Sequence, residues 1–383
     1  MPKKIRIGLV GYQFMGKAHS NAYLNVGKFF DLDAVPVMQA VCGRKRAAVK
    51  EFAGKWGWAS YETDYRKLAR RKDIDLIDIC TPNNTHHDMV MAAVEAGKPV
   101  ACEKPLAMDV AEAAEMLKAV KAAKLRHMIW FNYRRCPAIG LAKRLIDEGR
   151  IGRVFHVRAV YLQDWIVDPK FPLAWRLRKE VAGSGAHGDL NAHLIDLARY
   201  LVGEITEVVG LAKTFIKTRP VESAGGGLAG KAGRGKGKVT VDDTVLFLSR
   251  FKNGAVGSFE ATRFASGRKN YNRIEINGNK GSLVFLFEKM NELQFFSRQD
   301  PEHAQGFRTI LATEPVHPYM EAWWPPGHLV GYEHTFVNQA RDLINGVAND
   351  KPLKPDFSDG LACQKVMDAV LESVEKKRWV KID

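Results

Sequence analysis

The sequence predicts an α/β domain built on a doubly wound parallel sheet, followed by an α+β domain on a large open, mostly antiparallel sheet. Three observations predict it. Over residues 1–128, short apolar runs alternate with amphipathic stretches at βαβ spacing. A glycine-punctuated turn follows the first strand, and after Pro137 the pattern changes to longer, alternating, aromatic-rich strands. A chain of 383 residues has room for both domains, since domains commonly run to roughly 100–200 residues.

In the first part, apolar runs predict strands at 5–10, 37–42, 74–80, 99–102 and 126–131. Helical periodicity predicts helices from 15, over 46–56, 85–96 and 109–123, then over 138–148. Alternation predicts strands at 153–163, 205–216, 243–251, 255–264, 271–277 and 281–287, interrupted by one strong helix at 188–202. Helices at 331–346 and 357–376 close the chain. The expected domains are 1–128 and 129–383, with a ligand site between them as the default. Residues 222–238, rich in Gly and Lys, read as a flexible surface loop inside the second domain.

Composition excludes several classes. With 46% hydrophobic and 26% charged residues and no long unbroken apolar stretch, a membrane-embedded chain is ruled out. Met1-Pro2-Lys3-Lys4 runs straight into strand 5–10, which leaves no room for a secretory leader and predicts a cytoplasmic protein. Five cysteines, scattered singly, suit unpaired thiols in a reducing compartment. The excess of 58 basic over 43 acidic residues raises nucleic-acid binding. The basic residues are spread along the chain with no nucleic-acid motif to focus them, so a basic enzyme surface that attracts an anionic cofactor is expected, with no nucleic acid.

The first turn reads Gly11-Tyr12-Gln13-Phe14-Met15-Gly16 between a strand and a helix, as a Rossmann dinucleotide fingerprint requires. Gly11 permits the tight turn, Gly16 lets helix and strand approach, and the helix N-terminus receives a pyrophosphate. Gln13 stands where the middle glycine usually is; its amide is suited to a phosphate oxygen, and a plain structural turn is the alternative. The second strand ends in Gly43-Arg44-Lys45-Arg46 with no acid for the ribose hydroxyls, which favours NADP over NAD. Otherwise the cations simply open a solvated helix and NAD is held elsewhere.

Two further motifs end predicted parallel strands, where open α/β sheets bind ligands. Thr81-Pro82-Asn83 with His86 is a turn or a cofactor contact. Glu103-Lys104-Pro105 puts a lysine at the mouth of a buried strand, a costly position for a charge. In 182–201, Gly183 and Gly185 prepare a helix start, and Asp189, His193 and Asp196 follow at i, i+4 and i+7 on one face. There Asp189 orients His193 for general-base work, or His187, Asp189 and His193 bind a metal, or the pair is structural. No anchoring third carboxylate or cysteine sits at fixed spacing, so no metal is expected. Asn132, Tyr133 and Arg134 follow the last parallel strand, near nicotinamide or substrate. Gln163, Asp164, Trp165, Trp175 and Arg176 mix aromatic and polar groups as sugar recognition does, or as ordinary packing does. Trp323 and Trp324 before Pro325-Pro326-Gly327-His328 read as an apolar turn rather than a lid.

The Rossmann turn, TPNxxH at 81–86, EKP at 103–105, NYRR at 132–135 and GDLNAHLIDLARYL at 188–201, in this order, resemble the Gfo/Idh/MocA superfamily of glucose-fructose oxidoreductase and inositol dehydrogenase. FMGKAHS (14–20), YLQDW (161–165), GSGAHGD (183–189) and GAVGSFEATR (254–263) resemble its levoglucosan dehydrogenase-like group of sugar and cyclitol dehydrogenases. The resemblance implies that Lys104, Asp189 and His193 line a substrate pocket beside the nicotinamide, and that the open sheet forms homodimers or homotetramers. It implies hydride transfer to or from a ring alcohol of a sugar, glycoside or cyclitol. In that reaction His193 is the base, Asp189 its orienting partner and Lys104 the alkoxide's hydrogen-bond donor. Redox-assisted glycoside cleavage and a non-catalytic nucleotide sensor on the same fold are the rival readings.

Overall fold

A computed structural model describes residues 3–224 and 230–382. The chain divides into two compact units, residues 1–135 with 330–362, and residues 136–329 with 363–383. The first begins with β1 (Lys4–Val10), α1 (Phe14–Phe29), β2 (Val35–Cys42), α2 (Arg46–Trp56), β3 (Ser60–Glu62) and α3 (Tyr65–Arg70). It continues through β4 (Leu76–Ile79), α4 (His86–Glu95), β5 (Val100–Glu103), α5 (Val110–Ala122) and β6 (His127–Trp130). The six strands pair in the order β3-β2-β1-β4-β5-β6, all parallel. This is the doubly wound order whose reversal between β1 and β4 opens a ligand-binding crevice. Strands covered on both faces need apolar side chains throughout, and Ile5, Ile7, Leu9, Val41, Leu76, Ile79, Val100 and Ile129 are all buried. α5 starts where the Asp109 carboxylate accepts the Glu112 amide at 2.9 Å.

The second unit holds α6 (Pro137–Asp147), β7 (Val154–Leu162), α7 (Lys179–Ala182), a π-helical turn at His187–Asn191 and α8 (Ala192–Leu201). Strands β8 (Ile205–Lys213), β9 (Thr218–Ala224), β10 (Lys231–Lys238), β11 (Thr244–Phe251) and β12 (Val256–Thr262) follow. After them come β13 (Tyr271–Gly278), β14 (Gly281–Leu286), β15 (Glu292–Ser297) and β16 (Arg308–Leu311). The sheet runs β16-β15-β14-β13-β7-β12-β11-β8 and ends on β17 (Val380–Lys381). Every pair is antiparallel except β12 with β7. The mostly antiparallel sheet is the one the alternation predicts; the short strands β15, β16 and β17 lie at its two ends, where the alternating pattern is brief. One face buries Val157, Ala159, Phe247 and Phe259, whereas Leu211, Leu246 and Leu248 are exposed on the other.

Two expectations are corrected. The Gly/Lys stretch is not a loop throughout: β10 pairs antiparallel with β9, while residues 225–229 lie outside the described residues. Backbone ladders need no side chains, and glycine serves a purpose here, since a Cβ on Gly237 would come within 2.5 Å of Leu173 Cδ2. The second correction concerns the domain boundary. The chain does not stay in the second unit after 128 but returns to the first over 330–362 through α9 (Tyr332–Ala348). Gln339 of α9 donates to the Ile129 carbonyl at 2.8 Å and Asn338 to that of Arg135 at 3.0 Å, tying the helix to the end of β6. The partition falls at 362/363, within α10 (Phe357–Lys376).

Candidate active site

At the C-terminal end of β1, Gly11 has φ +115°, and a Cβ there would meet the Cys80 carbonyl at 2.7 Å; one on Gly16 would meet the Gly11 carbonyl at 2.6 Å. The turn therefore presses on the next strand as a nucleotide-binding turn must. Gln13 occupies the N-cap of α1 and makes no side-chain cap hydrogen bond, which suits a helix N-terminus that receives an anion. Phe14 stacks on Tyr332 of α9, with ring centroids 6.1 Å apart. At the end of β2 a Cβ on Gly43 would collide with the Tyr12 ring at 2.1 Å, so only glycine lets that ring lie over the backbone. Arg44, Lys45 and Arg46 are exposed beside it. An uncapped helix end, a glycine cradle and neighbouring cations fit a dinucleotide.

The motifs at 81–86 and 103–105 are joined by His86. Completely buried, its ring nitrogens lie 3.0 Å from the carbonyls of Thr81 and Pro105, and burial lowers its pKa. His86 thus braces the two turns that end β4 and β5. The Thr85 hydroxyl holds the Thr81-Pro82-Asn83 turn, 2.7 Å from Thr81 Oγ1 and from the Pro82 carbonyl. Lys104, half-buried, follows β5, and its backbone amide donates to Glu103 Oε2 at 3.1 Å. Asn132 donates to Thr335 Oγ1 at 2.8 Å, and Tyr133 is buried. Arg134 pairs with Asp359 at 3.1 Å. Burial opposes ionisation of Asp359, but Arg134 and Lys354 hold its pKa at about 2.

In the second unit the Asp242 carboxylate accepts the amides of Gly185 and His187, both at 2.8 Å, and so starts the π turn. That turn is wider than an α turn and alters the stacking of Asp189, His193 and Asp196 that an unbroken α-helix predicts. Asp189 Oδ2 accepts from Arg263 Nη2 at 2.5 Å, with Arg176 Nε at 3.8 Å. His193 is nearly buried, its ring 6.1 Å from that of Tyr161. His187 is committed to structure: Nε2 lies 3.0 Å from the Met367 carbonyl and Nδ1 3.0 Å from Asn191 Nδ2. Among the described residues no three His, Cys, Asp or Glu side chains gather as metal ligands would.

The parallel pairing of β7 with β12 brings 163–165 beside 263, with the Gln163 amide donating to the Thr262 carbonyl at 2.9 Å. Trp165 Nε1 donates to Gln163 Oε1 at 2.8 Å, and Gln163 Nε2 to Asn270 Oδ1 at 3.1 Å. Tyr161 also donates to Asn270, at 2.6 Å. Arg263 lies 5.0 Å from the Trp165 ring centroid, and Arg176 lies 4.3 Å from that of Trp175. A small core of Ile166, Leu173, Leu177, Val239 and Val241 holds this segment, and Leu173 bridges to Val221 of β9. Asp164 faces the 267–269 loop, accepting from Gly267 N at 3.0 Å and Lys269 Nζ at 2.7 Å. The sequence does not single out Asn270 or Asp242. It marks Tyr161 and Arg263 only as the first residue of YLQDW and the last of GAVGSFEATR.

Residues 5–131 match the oxidoreductase family with an NAD-binding Rossmann fold, and residues 139–284 match the GFO/IDH/MocA C-terminal domain. A levoglucosan dehydrogenase of Pseudarthrobacter phenanthrenivorans is 44% identical over 99% of this chain and 98% of its own. An oxidoreductase domain protein from Kribbella flavida superposes with a TM-score of 0.95 at 51% identity, covering 100% of both chains. A levoglucosan dehydrogenase in complex with NADH and levoglucosan does so at 0.95 and 43%, again covering 100% of both. The chain therefore belongs to the Gfo/Idh/MocA oxidoreductases, with an NAD-binding Rossmann domain ahead of the family's C-terminal domain.

Proposed function

We propose that this oxidoreductase oxidises a ring secondary alcohol of a sugar, with an anhydro-sugar of the levoglucosan kind as its substrate. The observation that carries the reading is the group of Gln163, Trp165 and Asn270 beyond the end of β7, joined through Arg263 and Asp189 to Arg176 and Trp175, in the same unit as His193. The chain that builds it is similar end to end to a levoglucosan dehydrogenase. Indole faces suit the apolar C–H side of a pyranose, and the amide and guanidinium groups suit its hydroxyls.

In the proposed chemistry His193 accepts the hydroxyl proton, Asp189 orients His193, and Lys104 donates a hydrogen bond to the oxygen as it gains negative charge. When bound, the nicotinamide supplies the acceptor for the carbinol hydrogen and its electron pair. The NADH complex of the similar levoglucosan dehydrogenase supports NAD as the cofactor. The exposed Arg44–Arg46 run supports tolerance of the extra phosphate of NADP. Five buried free cysteines support a reducing, cytoplasmic setting. No helix among the described residues is long and apolar enough to cross a membrane. The exposed apolar ladder of Leu211, Leu246 and Leu248 supports a homo-oligomer closed through that sheet face.

The test follows nicotinamide absorbance with NAD+ or NADP+ and a panel of levoglucosan, L-sorbose and myo-inositol. NADH accumulating one-for-one with a ketone product is expected with levoglucosan. Bond cleavage of a glycoside without net NADH points to the oxidation–elimination chemistry instead, and cofactor binding with no turnover of any ring alcohol points to a sensor.

A further inference from the structure

In the first unit, His19 of α1 sits wholly out of solvent between two carboxylates. Its Nδ1 lies 2.8 Å from Asp78 Oδ2 on β4, and its Nε2 3.0 Å from Glu103 Oε1 at the end of β5. Asp78 collects two further donors, the Tyr23 hydroxyl on Oδ2 and the Trp130 indole on Oδ1, both at 2.8 Å. Glu103 Oε2 takes the backbone amide of Lys104. All four carboxylate oxygens are thereby satisfied, and the rings of Trp130 and Phe336 wall the imidazole at 4.3 and 5.6 Å.

A neutral imidazole has one N–H and would leave a bare nitrogen facing a carboxylate, so this geometry calls for the cation. Burial opposes that charge, but attraction and hydrogen bonding to Asp78, then to Glu103, push the His19 pKa up to about 9. Burying three charges is costly, and a partly satisfied network is worse than none. Nothing in the proton chemistry above uses His19 or Asp78. The network nevertheless joins α1, which opens the nucleotide turn, to the ends of β4, β5 and β6.

We propose that His19 is a positioning residue for Lys104: by bridging Asp78 to Glu103 it fixes the carboxylate that holds the Lys104 backbone, and so sets the lysine against the nucleotide-binding helix. This rests on the reading of Lys104 as the residue that donates to the substrate oxygen. Misplacing a reacting group by about 1 Å costs on the order of 100-fold in rate, so His19 influences turnover without touching substrate.

The experiment compares His19→Gln, Glu103→Gln, their double variant and Lys104→Met, using NAD+ with the ring alcohol of the panel that reacts fastest. Folding is checked by thermal melts, and NADH affinity by fluorescence. His19→Gln is expected to fold, to bind NADH within about 3-fold of the parent, and to lose about 10–100-fold in kcat. The double variant is expected to lose no more than the worse single one, because both act through one contact. A folded His19→Gln with kcat within about 3-fold of the parent, or losses that multiply in the double variant, overturns the inference. If His19→Gln does not fold, Glu103→Gln carries the same expectation and the same limit. An inactive Lys104→Met beside an active His19→Gln defeats the positioning role alone, whereas a fully active Lys104→Met removes the Lys104 reading and the inference with it.

Discussion

Asp189 is the carboxylate partner of Arg263, a guanidinium wholly shut off from solvent, at 2.5 Å across 74 residues of sequence. Among the described residues Nε and Nη1 of Arg263 meet no hydrogen-bond acceptor, so Asp189 and the Trp165 face carry the compensation for a buried charge. Asp189 is itself about one-third exposed.

The two halves of that pair should therefore differ. Asp189→Asn leaves a buried cation without a counter-ion and should lower unfolding free energy by about 3 kcal/mol. Arg263→Met leaves a carboxylate that water and Arg176 can reach, and should cost less than half of that. Urea unfolding of both variants checks the order, and a larger loss for Arg263→Met contradicts the account.

His193→Ala and Lys104→Ala should each lower kcat by about 10²–10⁴-fold, the usual contribution of a positioned acid–base group. Neither should change NADH affinity by more than about 3-fold, equivalent to less than about 1 kcal/mol. Steady-state rates with fluorescence titration of NADH measure both, and parental turnover in either variant removes that residue from the mechanism.

His19 links stability to alkaline pH. Its pKa is raised from 6.5 to about 9 in the folded chain. The stabilisation it brings is therefore complete below about pH 6.5 and is lost as pH rises through about 9, a change on the order of 3 kcal/mol. Tyr23 and Cys80 beside the cluster are pushed upward by burial, so neither ionises in that window. Melting temperature between pH 7 and 10 should fall more steeply for the parent than for His19→Gln; parallel curves would contradict a charged His19.

Arg44→Asp should reduce kcat/KM with NADP+ by about 10-fold or more, the loss of one charge-assisted hydrogen bond, and leave the NAD+ value nearly unchanged. Equal losses with both nucleotides would take the 2′-phosphate role from Arg44.

Leu246 and Leu211 face each other across β11 and β8 on the exposed side of the large sheet, and Leu248 extends the ladder. Leu248→Glu places a charge in that apolar surface and, on the proposed homo-oligomer closed through it, should lower the mass in light scattering to that of a monomer while the fold, read by circular dichroism, is retained. An unchanged mass moves the interface elsewhere.

Much of this protein is legible in its sequence. Alternating apolar runs dictate the parallel sheet, because strands buried on both faces tolerate little else. Gly11 and Gly16 are dictated by a turn too tight for a Cβ, and Lys104 stands out because a charge at a strand mouth demands a reason. The antiparallel second sheet and the family follow from the same local patterns.

Other features required the tertiary structure. His19 meets Asp78 across 59 residues and Glu103 across 84, and within the strand Leu76-Ile77-Asp78-Ile79 the carboxylate looks like a flaw until its three donors are in place. The pairing of Asp189 with Arg263, the return of residues 330–362 to the first unit and the β9–β10 hairpin are of the same kind. Periodicity records that a face is buried and never what it is buried against. Backbone pairing in a Gly/Lys stretch leaves no side-chain signature at all. The sequence alone therefore determined the parallel and antiparallel sheets, the nucleotide turn and the residues at the strand mouths. The tertiary structure decided which distant charges neutralise one another, because desolvating a charge is tolerable only where the fold delivers its partner.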